Sequence, residues 1–345
     1  MEIYRDEAFW KEYYEKNRQY VGNNRKLRRW TTLKDRRLYR DNGYAMEQLA
    51  AGAYDRLEPE MFRRKWGRKM TMTPPEKKTV FHSYWCGAIG EKQAFSMKSL
   101  LCTQPARTTE LWLWLDRENG YEGYEDNGYL KPLLPLIRVL PFDADREAAG
   151  TPYEGHEWMF HGPELTFRAD GFRLLELYRR GGVYFDLDVM FLKDLTPVLT
   201  AGEFCYAWEG QPYANNALLY LKKGSPLNET VTRRALELET FRPWQVLAYG
   251  DPGLASYIVY PSAFFDPLWM KKKEEPGWVD TFGEFFTRPV LAGQEVSWGL
   301  DDQQFFPGVY AHHWHNQWKT EAHPDSLYSW FGRQFDRRLE EMTGR

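Results

Sequence analysis

An α/β protein with a mostly parallel, wound sheet is the fold class this sequence predicts. Three observations point to it. Strand-like apolar runs at 79–81, 110–115 and 136–140 alternate with helix-like or polar stretches, the spacing of β-α-β units. A helix-like stretch over 166–180, with Phe167, Leu174, Leu175 and Tyr178 on its core face, ends in Gly181-Gly182 and leads straight into another apolar run. The 345 residues, 43% apolar and 28% charged, suffice to bury a sizeable core.

The first 77 residues differ in texture from the rest. Residues 5–75 read as helices separated by polar turns, with Phe9, Trp10, Tyr13 and Tyr14 at helical spacing and Met46, Leu49 and Tyr54 on a second apolar face. Thr73-Pro74-Pro75 closes the region, because proline lacks a backbone donor and biases its predecessor to extended structure. Residues 1–78 carry 20 Lys+Arg against 12 Asp+Glu, within a chain whose net charge is −3. The basic runs at 25–29, 34–37 and 63–65 read either as a solvated helical face or as a contact for a polyanion, an anionic membrane surface or a phosphate-bearing acceptor. No nucleic-acid-binding module surrounds them, so nucleic acid is not an expected partner.

From Thr79 the elements follow in order. Thr79-Val80-Phe81 begins a strand running through His82 toward Gly87, and a helix covers 91–101. A buried strand over 110–115 ends at Asp116, and a third over 136–140 is expected to stop at Pro141. Ligands of such sheets sit beyond the carboxyl ends of the strands, here near 82–87 and Asp116. After Pro324 a helix places Leu327, Trp330, Phe331, Phe335, Leu339 and Met342 on one face, expected to pack on the domain. The expected organisation is a helical basic extension over 1–77, a central domain over 78–320 and a C-terminal helix over 321–345.

The segment after Gly182 carries the chemistry. Val183-Tyr184-Phe185 starts a strand expected to continue through Asp186-Leu187-Asp188 to Leu192, which puts both carboxylates on one face. Paired like charges repel unless a cation lies between them, and oxygen ligands suit a hard divalent ion such as Mg²⁺ or Mn²⁺. A second D-x-D, Asp143-Ala144-Asp145, follows a proline in a polar loop and reads as structural. His312, His313 and His315 crowd together without a cysteine nearby to complete a zinc site.

Arg168-Ala169-Asp170-Gly171-Phe172-Arg173, then Leu177, Gly181-Gly182, Tyr184, Asp186 and Asp188 resemble the signature of DXD-containing sugar transferases, R-x-S-D-x-x-R followed by G-G-x-Y-x-D-x-D. The nearest resemblance is to glycosyltransferase family 32, with the clostridial glucosylating toxins more distant. His82-Ser83-Tyr84-Trp85 is similar to the family's opening I-H-x-x-W strand. Asn215-Asn216 with Gly224-Ser225-Pro226, Gly250-Asp251-Pro252-Gly253, Phe305-Phe306-Pro307 and the His312–Trp318 stretch resemble its later elements. Ala169 and Gln317 stand where the family has Ser. The resemblance spans about 78–320.

It implies a GT-A fold, a nucleotide-sugar donor (UDP-linked first, GDP-linked next), a Mn²⁺ or Mg²⁺ cofactor and retention at the anomeric carbon. It places Tyr84 and Trp85 at the base and Asp170 and Arg173 at the donor sugar. Tyr184 and Asp186 fall at the ribose, and Asn215 and Trp318 elsewhere at the donor. The metal ligands it implies are Asp186, Asp188 and one or both of His312 and His313. The acceptor is expected to be a glycan or a lipid-linked sugar, and no protein nucleophile is assigned.

Two other functions fit parts of the pattern. A haloacid-dehalogenase-like phosphatase also uses D-x-D at a strand end and would draw on Asp301-Asp302, but Met190 stands where it wants Thr or Val. A non-catalytic nucleotide- or carbohydrate-binding protein would not need the full carboxylate set. No uninterrupted apolar run reaches membrane-span length, the first 17 residues are charged throughout, and Cys86, Cys102 and Cys205 frame no disulfide scaffold. These features lead to an expected cytoplasmic location. Aromatic residues make up 17%, with 15 Trp, an excess that suits either a rigid core or ring-stacking surfaces.

Overall fold

A computed structural model describes residues 78–344 apart from 163, 209–212, 249–253, 255–256, 261–263, 267–281 and 288–308. The helices and basic runs expected in 1–77 lie outside the described residues, as do Gly250–Gly253, Asp301-Asp302 and Phe305–Pro307. Chain order is β1 (Thr79–Trp85), α1 (Glu91–Thr103), β2 (Thr109–Asp116), β3 (Arg138–Phe142), α2 (Ala144–Ala148), α3 (Leu165–Arg180), β4 (Gly182–Phe185) and β5 (Val189–Phe191). Then come α4 (Thr196–Ala201), β6 (Phe204–Ala207), β7 (Ala214–Leu221), α5 (Pro226–Glu237), α6 (Pro243–Val246), β8 (Ile258–Tyr260), α7 (Glu284–Thr287), β9 (Ala311–His313) and α8 (Leu327–Thr343).

Seven strands form one sheet in the order β3-β2-β1-β4-β7-β6-β8, and β5 pairs with β9 in a separate two-stranded sheet. Within the large sheet β3, β2, β1 and β4 run parallel, β7 is antiparallel to both β4 and β6, and β8 is parallel to β6. The chain is thus an α/β protein with a mostly parallel wound sheet. Side chains alternate across it: Phe81, Val183 and Phe185 enter the core beneath α1 and α8, whereas Tyr84, Trp114 and Tyr184 enter the core beneath α3. Helix α8 packs on α1 through Phe95, whose ring lies 4.4 Å from Tyr328 and 5.3 Å from Phe335.

Four local expectations change. Strand β3 does not stop at Pro141 but includes it and ends at Phe142; β3 is the last strand in the order, and an edge strand tolerates a residue without an N–H. The apolar face of α3 is Phe172, Leu174, Leu175 and Leu177, with Phe167 and Tyr178 only partly buried. Met342 is 46% exposed, because it falls in the last turn of α8, past the helix that covers the others. Most consequentially, Asp186-Leu187-Asp188 is not strand interior: β4 ends at Phe185 and a turn, closed by Val189 N–H donating to Asp186 O at 3.0 Å, carries the chain into β5. Asp143 is structural, its side chain accepting from Arg146 N at the start of α2.

Gly181 and Gly182 have φ of 68° and 107°, left-handed conformations that glycine adopts freely. A Cβ on Gly182 would also lie 2.3 Å from Val80 O, inside the β1–β4 pairing. Gly224, with φ of 68° and open space around it, isolates the conformational cost alone. Gly224→Ala should cost about 1 kcal/mol, and Gly182→Ala clearly more, read as the shift in urea midpoint of each variant.

Candidate functional site

Strands β1, β4 and β6 run in the same direction, so Trp85, Asp186 and Trp208 emerge on one edge of the sheet. There a cleft of about 480 Å³ opens, lined by the ends of these strands, by the first turns of α3, by Asn215-Asn216 of β7, by 242–244 and by the 313–318 segment. This is the edge where the connectivity of a wound sheet leaves room for a ligand.

Period-2 alternation puts Tyr184 and Asp186 on the α3 side, where Arg173 waits. The Tyr184 hydroxyl donates to Asp186 Oδ1 at 2.6 Å, and Arg173 Nη2 reaches the same oxygen at 3.1 Å. Arg173 also pairs with Asp170 at 3.3 Å, donates to Asn216 O at 2.5 Å and lies over the Tyr184 ring at 4.3 Å. Asn216 Nδ2 donates to Asp170 Oδ1 at 2.8 Å. Arg173 is therefore a buried anchor behind two carboxylates rather than a plain i,i+3 ion pair on a helix surface. Asn215, one residue away, turns its Oδ1 back to the Ala217 N–H at 2.8 Å.

Asp188 joins the turn to the C-terminal part of the domain. Its carbonyl accepts from Trp314 N at 3.0 Å, and its Oδ2 from Asn316 N at 2.8 Å. Its Oδ1 faces His313 Nε2 at 3.3 Å. The other ring nitrogen, Nδ1, lies 3.0 Å from the Tyr206 hydroxyl and 3.8 Å from Asp266 Oδ2. His315 stacks on His313 with ring centroids 3.7 Å apart and reaches Asp266 Oδ2 at 2.6 Å. Ligand atoms of Asp186, Asp188 and His313 lie within 4.8 Å of one another, and so do those of Asp266, His313 and His315.

His312 is not part of either group. Neighbouring residues of a strand face opposite ways, so with His313 turned to the carboxylates His312 enters the core, its ring 4.8 Å from Phe285. Against the expectation that either histidine of the pair could serve, only His313 faces the carboxylates.

Tyr84 lines the cleft, but its ring stacks on Phe172 at 5.0 Å and its hydroxyl donates to Asp116 at 2.8 Å, which leaves main-chain groups to meet a ligand. Trp85 and Trp318 meet at 5.0 Å between ring centroids. Trp318 Nε1 donates to Asn316 Oδ1 at 3.1 Å, and Lys92 of α1 donates to the carbonyls of Gln317, Trp318 and Thr320, holding this loop in place. Asp266, Tyr206, Trp208, Arg242 and Trp244 were not legible as site residues. The tryptophan excess hinted at the last group, whereas Asp266 follows an apolar Ala-Phe-Phe run with no motif around it.

Residues 142–205, which hold Asp170, Arg173, Tyr184, Asp186 and Asp188, match the family described as a glycosyltransferase sugar-binding region containing the DXD motif. The chain carries a DXD glycosyltransferase region. No curated protein matches in sequence. Among solved structures, the PaToxG glycosyltransferase is similar at 16% identity and a TM-score of 0.40, over 63% of this chain and 79% of that one. The galactosyltransferase LgtC, solved with donor and acceptor sugar analogues, is similar at 13% identity and a TM-score of 0.41, over 76% of this chain and 95% of its own. The glycosyltransferase GlyE of Streptococcus pneumoniae is similar at 11% identity and a TM-score of 0.40, over 78% and 64%.

Electrostatics in this glycosyltransferase site are set by burial and by pairing. Burial pushes the Asp170 carboxyl up to about 6, although Arg173 and Asn216 pull the other way. Burial, with the Asp188 charge beside it, raises Asp186 against the pull of Arg173. Burial also works against the charge on Asp188, but His313 and the Asn316 amide hold its pKa at about 2. His313 is likewise disfavoured as a cation by burial, yet Asp188 and Asp266 lift it to about 9.

With a chelator present, this ion pair makes stability depend on pH with a definite sign. A histidine raised above its unfolded value contributes fully below about pH 6.5 and loses that contribution as pH rises through about 9, at most about 3 kcal/mol. Asp188 contributes above its unfolded value and is lost only as pH falls through about 2. Glu176, raised by burial to about 8, titrates in the same window. Subtraction of the His313→Gln profile from the wild-type one therefore isolates His313: the difference in unfolding free energy should shrink steadily from pH 6.5 to 9.5.

Proposed function

We propose that this glycosyltransferase moves a sugar from a nucleotide-diphosphate donor, UDP-linked before GDP-linked, to a hydroxyl of a glycan or lipid-linked acceptor, in a reaction that needs Mn²⁺ or Mg²⁺. The observation that carries the reading is the convergence of Asp186, Asp188 and His313 at the floor of a cleft whose rim carries Trp85 and Trp318. Two carboxylates and an imidazole suit Mn²⁺ well and Mg²⁺ adequately. A divalent ion held by these three side chains would neutralise diphosphate charge and make the nucleotide a better leaving group.

The remaining steps belong to the chain's own groups. Trp85 and Trp318 offer indole faces to the base, and main-chain groups at Tyr84 offer hydrogen bonds to its edge. Arg173 and the Tyr184 hydroxyl position Asp186 through one of its oxygens. Asp170, fixed by Asn216, faces the cleft where hydroxyls of the donor sugar would lie. The walls of the cleft exclude water and bring acceptor and anomeric carbon together, which supplies much of the catalysis in a displacement of this kind. Retention of configuration follows from the resemblance of the Asp170–Asp188 segment to retaining enzymes and involves no assigned nucleophile.

Isothermal titration of UDP and GDP, with and without Mn²⁺, tests this directly. Metal-dependent binding of one nucleotide, weakened at least 100-fold by Asp188→Ala, is expected; metal-independent binding, or none, overturns the reading. Mn²⁺ alone should bind more tightly as pH rises from 6.5 toward 9, by up to tenfold per unit, because His313 must give up a proton to bind it. Titrations in buffers of different ionisation enthalpy should count close to one proton released.

A further inference from the structure

The cleft has a second aromatic wall, on the far side of the carboxylates from Trp85 and Trp318. Along the sheet edge β1, β4, β7 and β6 are consecutive neighbours, so the carboxyl ends of β1 and β6 are three strand spacings apart, roughly 14 Å. Asp186 and Asp188 follow β4, between the two. Trp208 comes directly after β6, and Trp244 lies in α6, next to its opening Pro243. Tyr213 bridges them, its ring 5.8 Å from Trp208 and 6.4 Å from Trp244. Arg242 lies between two rings, 5.3 Å from Trp244 and 5.1 Å from Phe167, and is ion-paired with Glu164. Trp208, Arg242 and Trp244 all line the cleft.

We infer that Trp208 and Trp244 form the acceptor subsite and that the acceptor group they take is a neutral pyranose ring stacked on an indole face. This rests on the sugar-transfer reading, and in particular on the donor running from Trp85 to the carboxylates. A donor so placed ends with its sugar beyond Asp186 and Asp188, facing this wall, and the nucleophilic hydroxyl must arrive from there.

The chemistry of the wall selects the ring. A pyranose presents a face of C–H groups that packs on an aromatic surface, while its hydroxyls remain at the periphery for polar partners. Three carboxylates, Asp170, Asp186 and Asp188, line the same cleft. Arg173 is committed to Asp170 and Asp186, and Arg242 to Glu164. With Arg173 and His313 taken up by these carboxylates and Arg242 by Glu164, the described residues of this wall suit a neutral sugar better than an anionic acceptor.

Saturation-transfer NMR on the full chain, with Mg²⁺ as the diamagnetic ion, tests the proposal using methyl β-glucopyranoside, methyl β-galactopyranoside and methyl α-mannopyranoside. At least one should receive saturation mainly at the C–H protons of one ring face, and excess UDP should not displace it. Trp244→Ala should reduce the signal at least fivefold and Trp244→Phe less, in proteins whose melting temperature matches wild type; Trp208→Ala provides the same comparison should Trp244→Ala fail to fold. Wild-type protein that binds UDP but none of the pyranosides overturns the inference and turns attention to a protein or other non-sugar acceptor. Signals unchanged in the tryptophan variants, or a pyranoside displaced by UDP, overturn it as well. Failure to bind either UDP or GDP would instead bring down the underlying sugar-transfer reading.

Discussion

Asp188 holds the site together. Through its carbonyl, its carboxylate and its neighbour His313 it ties the turn after β4 to the 313–316 segment, 125 or more residues later in the sequence. The same segment then carries Trp318 to Trp85, and Lys92 fastens it from α1. Remove the carboxylate and the amide of Asn316, the ring of His313 and the placement of Trp318 all lose a common reference point. His315 and Asn316 have φ of 47° and 59°, unusual for residues with side chains. Backbone of that kind persists only where several contacts over-determine it, and the Asp188–Asn316 and His315–Asp266 hydrogen bonds are such contacts.

Behind this junction, one guanidinium serves two carboxylates. Arg173 is buried, and its desolvation is offset by Asp186, Tyr184 and Asp170 together. One cation cannot neutralise Asp170, Asp186 and Asp188, so His313 completes the balance: in the absence of a metal it is the charge beside Asp188. The ring that carries this charge lies between Asp188 and Tyr206, which fix its orientation.

The sequence made the sheet legible through its apolar runs, and the site legible through Gly181-Gly182, Tyr184, Asp186 and Asp188, whose order along the chain is also their order in space. Three things escaped it. A strand was expected to run through Asp186-Leu187-Asp188, because Val189-Met190-Phe191 continues the apolar pattern; those residues do form a strand, but in the other sheet, and periodicity cannot see which partner a strand chooses. His312 and His313 were equivalent on paper, yet a strand must turn adjacent side chains apart, and only the pairing of Val189 with His313 says which one faces Asp188. Trp244 reaches the cleft, and Asp266 and Tyr206 reach His313 behind it, through tertiary packing alone, and no local pattern marks them.

The order of strands along the sheet gives the cleft a direction. Aromatic surface lies at the end of β1, the paired carboxylates at the end of β4, and a second aromatic surface at the end of β6. Because β7 runs antiparallel between β4 and β6, it contributes no carboxyl end here; instead its first residues, Asn215 and Asn216, close the floor and brace Asp170 and Arg173. A single reversed strand thus separates the carboxylates from the Trp208 wall by two strand spacings rather than one, roughly 10 Å. That gap is of the size one sugar ring and the bond it exchanges would fill, and the reversed strand within it supplies polar bracing while the aromatic surfaces follow β1 and β6.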